Sequence, residues 1–310
     1  METSWRDKLA AGEIVIIDGG TGSELQRRGV EMNESAWSGA AACEHKDVLR
    51  EIHADYIRAG AEVITTNTFG TARFVLDAAG LGDAFETINR HAIDAALEAR
   101  EVAATGPTAV AGSISCLPPN NDISQYPAES VERDAYSELA ATLAEGGVDL
   151  IALEMMEDTR HSVMALETAR ETGLPIWLGI SCRVADDGTT LVGFDFPNTP
   201  IEETLQALLS CEPDVVNIMH SDPDAIEAAI STLRRLWQGP IGVYPELGDF
   251  EMPNWNFTSR LTPEDLAERS ADWVASGARL LGGCCGTSPE HIRTLSEALP
   301  RLNTARRPSK

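Results

Sequence analysis

The chain has 310 residues and a formal net charge of −25, and 43% of its residues are hydrophobic. A surface with this much negative charge repels nucleic acid and anionic membranes. We therefore expect neither as a partner. No apolar run is long enough to span a bilayer, the first residues lack a signal-peptide core, and the six cysteines lack the spacing of a secreted disulfide framework. We therefore expect a cytoplasmic protein with reduced thiols.

Short apolar segments rich in β-branched residues recur along the whole chain. Each has the length of a buried strand and is bounded by turn or helix signals. The predicted strands are Ile14–Ile17, Glu62–Thr66, Ala109–Gly112, Leu150–Leu153, Ile176–Ile180, Val215–Ile218, Ile241–Tyr244 and Arg279–Leu281.

Helical patterns lie between these segments. Several end at a glycine, which adopts the left-handed conformation that stops a helix, and others begin with a polar cap followed by Pro and an acidic residue. The predicted helices are Glu44–Ala59, Phe85–Glu101, Val131–Glu145, Thr159–Thr172, Asp222–Trp237, one that opens at Thr262, and Ser288–Leu299.

The alternation of eight apolar strands with helices predicts a parallel sheet that is buried on both faces. Eight such units in a chain of 310 residues fit an α/β fold of the closed (β/α)8 TIM-barrel type, as a single domain over residues 1–310. The basic end, residues 301–310, is predicted to be a flexible tail. A doubly wound open sheet is the alternative, but no GxGxxG loop follows the first strand.

The most informative motif is Gly282-Gly283-Cys284-Cys285-Gly286-Thr287, directly after the last predicted strand. A vicinal cysteine pair closes a disulfide only through a strained ring, so a structural bridge is not expected. Glycines on both sides permit a turn that aims both thiols at one point, which favours a zinc site. The alternative is a pair of small buried thiols in a tight turn.

Barrel enzymes carry their chemistry where the strands end at their carboxyl side. Asp18 follows the first predicted strand, Asn67 the second and Glu154 the fourth. His220 follows the sixth predicted strand, and the cysteine pair follows the eighth. We therefore expect carboxylates and metal-binding groups to meet at one mouth of the barrel.

Several of these motifs together resemble the homocysteine S-methyltransferase family, from one end of the chain to the other. The matching stretches are DGGTGSEL at 18–25, HADYIRAGAEVITTNTF at 53–69, AGSIS at 111–115, DLIALEMMED at 149–158 and GGCCGTSPEHI at 282–292. The resemblance implies a barrel whose mouth binds Zn²⁺ through three thiolates, two of them from Cys284 and Cys285.

The third cysteine of the family follows an Asn at the end of the sixth strand. Here the sequence continues from Asn217 to His220 without a cysteine. We therefore expect His220 to be the third zinc ligand, with Asp222 holding its second nitrogen. The alternative is that His220 caps the next helix while a thiol from another strand, Cys182 or Cys116, completes the site.

The resemblance implies transfer of a methyl group from a small onium donor to the thiol of homocysteine, which gives methionine. A thiol is mostly protonated at neutral pH, and binding to Zn²⁺ deprotonates it. Two other functions stay open: a zinc-dependent barrel hydrolase or lyase that uses bound water, and a metal-binding homologue without catalysis.

The resemblance also implies the substrate-binding residues. Asp18 and Glu154, expected as the catalytic residues, would hold the amino group of homocysteine or balance the charge of the donor. The face of Trp37 would attract a methylated cation, although the ring would also serve as an apolar cap. Gly19 and Asn67 complete the expected set.

The donor is expected to be a sulfonium such as S-methylmethionine. Gly70 and Met155 stand where enzymes that use betaine carry tyrosines, so the aromatic set expected for betaine is incomplete. The segment Tyr244–Phe257 is rich in aromatic residues and proline. It is interpreted either as a lid over the donor or as a packed surface loop.

Overall fold

The computed structural model describes residues 4–251, 253–257 and 261–304. Its strands are β1 Val15–Ile16, β2 Val63–Thr65, β3 Ala109–Ser115, β4 Leu150–Glu154, β5 Ile176–Ile180, β6 Cys182–Val184, β7 Leu191–Gly193, β8 Val215–Met219, β9 Ile241–Tyr244, β10 Asp249–Glu251, β11 Asn254–Asn256 and β12 Ala278–Leu281.

Helices follow most of these strands and cover the outside of the sheet. They are α1 Trp5–Ala10, α2 Thr21–Arg27, α3 Ala41–Glu44, α4 Lys46–Ala59, α5 Arg73–Ala78, α6 Phe85–Ala103, α7 Glu129–Gly146, α8 Thr159–Arg170, α9 Ile201–Leu209, α10 Ile226–Leu236, α11 Pro263–Ala275 and α12 Pro289–Thr304. Within the described ranges, none of them has both the length and the apolar character needed to cross a membrane.

Eight strands form one parallel sheet in the order β1-β12-β9-β8-β5-β4-β3-β2. A parallel bridge from Ile17 to Val63 joins the first and last strands of this order and closes the barrel. The (β/α)8 fold predicted from the sequence is therefore confirmed, and the open-sheet alternative is wrong. Two antiparallel hairpins, β6-β7 and β10-β11, stand outside the barrel.

The apolar core has two parts because each strand is buried on both faces. One part lies between the sheet and the helices. The other fills the inside of the barrel, where Trp177 is its largest side chain. The short helix α1 closes the amino-terminal end of the barrel, since the ring of Trp5 meets that of Trp177 edge-on with centroids 5.1 Å apart. These two rings therefore fill the amino-terminal end of the barrel interior.

The predicted helices are present, with two differences that have a local cause. The helix expected to begin at Asp222 begins at Ile226. Asp222 accepts a hydrogen bond from the backbone N–H of Asp224 at 2.9 Å, so its side chain forms a turn before the helix. The last helix extends to Thr304 and buries Leu302, so the predicted tail is helical over residues 301–304. Residues 305–310 lie outside the described residues.

The sequence analysis missed five helices: α1, α2, α3, α5 and α9. α1 and α2 are only six and seven residues long, too short to show a clear helical period. α9 buries Ile201, Leu205 and Leu208 at helical spacing, a signal that the analysis overlooked.

Candidate active site

A cavity of about 410 Å³ opens at the carboxyl ends of the barrel strands. All eight residues assigned to the site from the sequence lie in its wall: Asp18, Gly19, Trp37, Asn67, Glu154, His220, Cys284 and Cys285. The barrel interior contributes an apolar floor that includes Ile17, Ala152, Trp177 and Met219.

The cysteine turn is held by backbone hydrogen bonds to the loops after β1 and β9. The N–H of Gly283 donates to the carbonyl of Asp18 at 3.1 Å, and the N–H of Cys284 donates to that of Pro245 at 2.9 Å. In return, the carbonyl of Cys285 accepts from the N–H of Leu247 at 2.8 Å. Gly286 has a φ of +82°, which allows the chain to turn back immediately after the pair.

The two thiols differ in their affinity for a proton. Their Sγ atoms are 3.9 Å apart. The hydrogen bond between the two sulfurs holds the pKa of Cys284 well below its usual range, and the same hydrogen bond, together with burial, raises the pKa of Cys285 well above it. The Cys284 sulfur is therefore the more acidic of the two thiols.

His220 reaches the cavity because the chain turns sharply at the end of β8. Its φ is +41°, a left-handed value that is uncommon for residues other than glycine. The turn is stabilised by Ser221, whose hydroxyl donates to the carbonyl of Met219 at 2.7 Å and accepts from the N–H of Cys182 at 2.9 Å. The imidazole is thus directed inward instead of along the strand.

The two ring nitrogens of His220 face different partners. Nδ1 is 3.5 Å from Sγ of Cys284, and Nε2 is 3.3 Å from Oε2 of Glu246. Burial by itself lowers the pKa of His220, but the hydrogen bond with Cys284 and the charge of Glu246 outweigh burial and raise it to about 10. The imidazole therefore lies between the sulfur of Cys284 and the carboxylate of Glu246.

The ligand atoms of His220, Cys284 and Cys285 all lie within 4.8 Å of one another. In the described part of the chain this is the one such group of His, Cys, Asp or Glu side chains. Neither Cys182 nor Cys116 belongs to it: the former contacts Ser221 and the latter Met156. The expectation that Asp222 holds the second nitrogen of His220 is wrong, because Glu246 occupies that position while Asp222 supports the turn.

Asp18 and Glu154 are buried carboxylates in the cavity wall. Asp18 accepts hydrogen bonds from the N–H and hydroxyl of Thr65, at 2.7 and 3.1 Å. Glu154 accepts from the hydroxyls of Ser113 and Tyr244. Burial raises the pKa of Asp18 well above its usual range, and burial together with the charge of Cys284 raises that of Glu154 to about 7. A cationic substrate group would favour the ionised form of both.

Trp37 lies in an aromatic wall on the outer side of the cavity. Its ring meets those of Phe69 and Phe250 edge-on, with centroids 6.3 and 5.9 Å away. Phe250 and Trp255 come from the β10-β11 hairpin and are 5.4 Å apart. The hairpin thus covers part of the cavity, which favours the lid interpretation of this segment; Met252 in the predicted lid is outside the described residues.

Gly19 and Asn67 line the cavity and also make contacts that hold neighbouring segments in place. A Cβ on Gly19 would lie 2.9 Å from the ring and hydroxyl of Tyr56, so the close approach requires glycine. The Asn67 amide donates to the carbonyl of Ser38 at 2.8 Å and accepts from the hydroxyl of Ser38 at 3.1 Å. Asn67 therefore fixes the loop that carries Trp37.

The sequence analysis did not single out Glu246 or Phe194, although both line the cavity. Glu246 comes two residues after β9, so its position at the carboxyl end of a barrel strand was an available signal. Phe194 follows the β6-β7 hairpin, and its ring centroid lies 5.0 Å from that of His220. In the sequence, the two short strands of this hairpin lack the continuous apolar pattern that identified the barrel strands.

The cavity wall is strongly acidic. Its charged side chains other than His220 and the thiols are carboxylates, and no Lys or Arg is present in the wall among the residues described. The acidic residues are Asp18, Glu154, Asp195, Glu246 and Asp249. This arrangement favours a ligand that carries positive charge.

The homocysteine S-methyltransferase family model matches residues 15–299, which is most of the chain. The chain belongs to this family. The match covers all eight barrel strands and the cysteine turn, so the resemblance inferred from the motifs is confirmed. The protein is a methyltransferase of the homocysteine S-methyltransferase family.

Similar proteins of known function agree with this assignment. The selenocysteine methyltransferase of Astragalus bisulcatus is 28% identical, over 93% of each chain. Homocysteine S-methyltransferase 4 of Zea mays is 29% identical, over 93% of this chain and 90% of its own. The homocysteine methyltransferase MmuM of Escherichia coli, in its metallated form, superposes with a TM-score of 0.72 and 25% identity, over 92% of this chain and 96% of its own.

Proposed function

We propose that this family member transfers a methyl group from a sulfonium donor to homocysteine, with Zn²⁺ held by His220, Cys284 and Cys285. The observation that carries the proposal is the convergence of one imidazole and two thiols within 4.8 Å at the cavity wall. Nitrogen and sulfur are the donor atoms that Zn²⁺ prefers, and three protein ligands leave a position for a substrate. The residues present therefore fit this metal.

When bound, the ion would lower the pKa of the homocysteine thiol, so that a thiolate is available at neutral pH. The chain's own residues then position the reactants. Asp18 and Glu154 provide buried carboxylates for the ammonium group of homocysteine, next to the cysteine turn. Both substrates share one cavity of about 410 Å³, which keeps the sulfur and the methyl group close together.

The transfer itself balances without a redox partner. The homocysteine sulfur forms a bond to the methyl carbon, and the bond between that carbon and the donor sulfur breaks with its electron pair on the departing thioether. A thiolate and a sulfonium thus become two neutral thioethers. With S-methylmethionine as donor, both products are methionine.

The wall of the cavity supports a sulfonium donor of net positive charge. Trp37, Phe69 and Phe250 provide ring surfaces that attract an onium group. S-methylmethionine carries two positive groups and one carboxylate, whereas glycine betaine has no net charge. Because five carboxylates and no Lys or Arg among the described residues face the cavity, the first donor is favoured.

A methyl-transfer assay tests the proposal. Zinc-loaded enzyme and homocysteine are mixed with S-methylmethionine or glycine betaine, and methionine formation is followed, with chelator-treated enzyme as the control. We expect kcat/KM to be at least about tenfold higher for the sulfonium, which corresponds to 1.4 kcal/mol. A preference for betaine would overturn the donor assignment, and equal rates after removal of zinc would overturn the metal assignment.

The same assay addresses the two alternatives. Release of a hydrolysis product without methylation of homocysteine would indicate the hydrolase. Zinc binding without transfer from any sulfonium or ammonium donor would indicate a metal-binding homologue that does not catalyse the reaction.

A further inference from the structure

Glu246 is a buried carboxylate that contacts the candidate metal ligands. It is 4% exposed and lies in the cavity wall just after β9. Its N–H donates to the carbonyl of Ser221 at 3.3 Å, so its backbone is tied to the turn that carries His220. The side chain places Oε2 3.3 Å from Nε2 of His220.

This contact decides which imidazole nitrogen is free for a metal. In a histidine ligand, the nitrogen that does not bind the metal donates its proton to an acceptor, which fixes the tautomer and the ring orientation. Nε2 faces Glu246 and Nδ1 faces Cys284. With a metal bound, the carboxylate would therefore keep the proton on Nε2 and leave Nδ1, which faces the thiols, as the ligand atom.

The carboxylate of Glu246 also adds a negative charge beside the candidate metal ligands. Two thiolates and a neutral imidazole would balance the charge of Zn²⁺, so the site would be neutral without Glu246. With the carboxylate of Glu246 at 3.3 Å from the imidazole, the total would be −1.

We propose that Glu246 is a positioning residue of this metal centre, which fixes the tautomer of His220 and adds a negative charge beside it. The inference rests on the proposed zinc site. Phe194 and Trp255 flank the imidazole, with ring centroids 5.0 and 6.3 Å away, so the ring is confined by packing while Glu246 sets its hydrogen bonding.

A double-mutant cycle on zinc affinity tests this role without an activity measurement. Glu246→Gln is made in the natural chain and in a His220→Cys background, and zinc dissociation constants are measured by competition with a chromophoric chelator. With His220 present, we expect about a 10- to 100-fold loss of affinity. With cysteine at position 220, we expect no loss, because a thiolate has no second nitrogen for the carboxylate to hold.

The possible results separate the inference from the site itself. Equal losses in both backgrounds would mean that Glu246 only supports the fold, and would overturn the inference while the zinc site stands. Failure of the unchanged protein to bind zinc would overturn both. Glu132→Gln is the matched control, since Glu132 is a buried carboxylate that contacts a different histidine, His161 at 2.6 Å, outside the metal-ligand group, and we expect no measurable change in zinc affinity there.

A second measurement needs no substitution and so does not depend on the folding of a variant. Nitrogen-15 spectra of the histidine rings in the zinc-loaded protein report the tautomer of His220 directly. We expect the proton on Nε2. A proton on Nδ1 would overturn the assignment of Glu246.

Discussion

The side-chain amide of Gln26 pairs with the backbone of Trp255 through two hydrogen bonds. Nε2 of Gln26 donates to the carbonyl of Trp255 at 3.0 Å, and Oε1 accepts from its N–H at 2.8 Å. Gln26 belongs to α2, and Trp255 to the hairpin that covers the cavity. These two hydrogen bonds thus help to fasten the lid to the barrel, together with the ring contact between Phe250 and Trp37.

Substitution of Gln26 by Ala is expected to loosen the lid. Loss of two hydrogen bonds should weaken hairpin docking by about 1–3 kcal/mol, since each bond contributes about 0.5–1.5 kcal/mol. Hydrogen exchange at residues 249–256 should accelerate and KM for the donor should rise, with little change in the global free energy of unfolding. Gln26→Glu keeps the acceptor for the Trp255 N–H and should show a smaller effect. Unchanged exchange in the Ala variant would contradict this role.

Replacement of Trp37 by Ala should raise KM for a sulfonium donor. A desolvated cation over an indole face is stabilised by up to about 2 kcal/mol, which corresponds to about a 30-fold change. Trp37→Phe keeps a ring between Phe69 and Phe250 and should lose much less. Steady-state kinetics with varied donor and saturating homocysteine measure the difference. Equal KM values for the Ala variant and the natural enzyme would show that the ring is only an apolar cap.

The barrel could be predicted because its signal is repeated and local. Each strand is buried on both faces, so segments such as Ile176–Ile180 are continuously apolar, and helix ends such as Gly60, at φ +110°, are stop signals. The rule that chemistry lies at the carboxyl ends of barrel strands then selected Asp18, Glu154 and the cysteine pair without any coordinates.

The remaining details depend on contacts between distant segments. The sequence does not show that Ser221 supports a left-handed turn at His220, which directs the imidazole inward. Asp222, the nearest carboxylate in sequence, was expected to hold this ring, but Glu246 from the next barrel strand does so. The hairpins are too short to show an alternating pattern, so the aromatic wall was only partly foreseen.

The double variant Cys284→Ser/Cys285→Ser should lose zinc. Two of the three candidate ligands are removed, and a hydroxyl does not become an anion at neutral pH as a thiol does on binding to zinc. Metal analysis after dialysis measures zinc per chain. Cys43→Ser, at an exposed cysteine outside the group, is the control and should retain the metal. Full zinc retention by the double variant would exclude the cysteine pair as ligands.

His53 should contribute a pH dependence of stability that is separate from the active site. Its imidazole on α4 is fully buried, and both ring nitrogens lack a hydrogen-bond partner. Burial lowers its pKa to about 3, against 6.5 for an exposed histidine. Between these values the unfolded chain binds a proton that the folded chain does not. The contribution of neutral His53 to the free energy of unfolding is therefore fully present above pH 6.5, and it is lost as the pH falls towards 3.

The size of this effect follows from the two pKa values. Lowering the pH from 7.5 to 5 should cost about 2 kcal/mol of unfolding free energy through His53 alone. Buried carboxylates with raised pKa values act in the opposite direction, so the prediction concerns the difference between the natural protein and a variant. His53→Leu and His53→Asn change packing in different ways, but both remove the titration. Urea unfolding at the two pH values measures this difference. Between pH 7.5 and pH 5, the natural protein should lose about 2 kcal/mol more unfolding free energy than either variant. Equal losses in all three proteins would show that His53 is not buried in its neutral form.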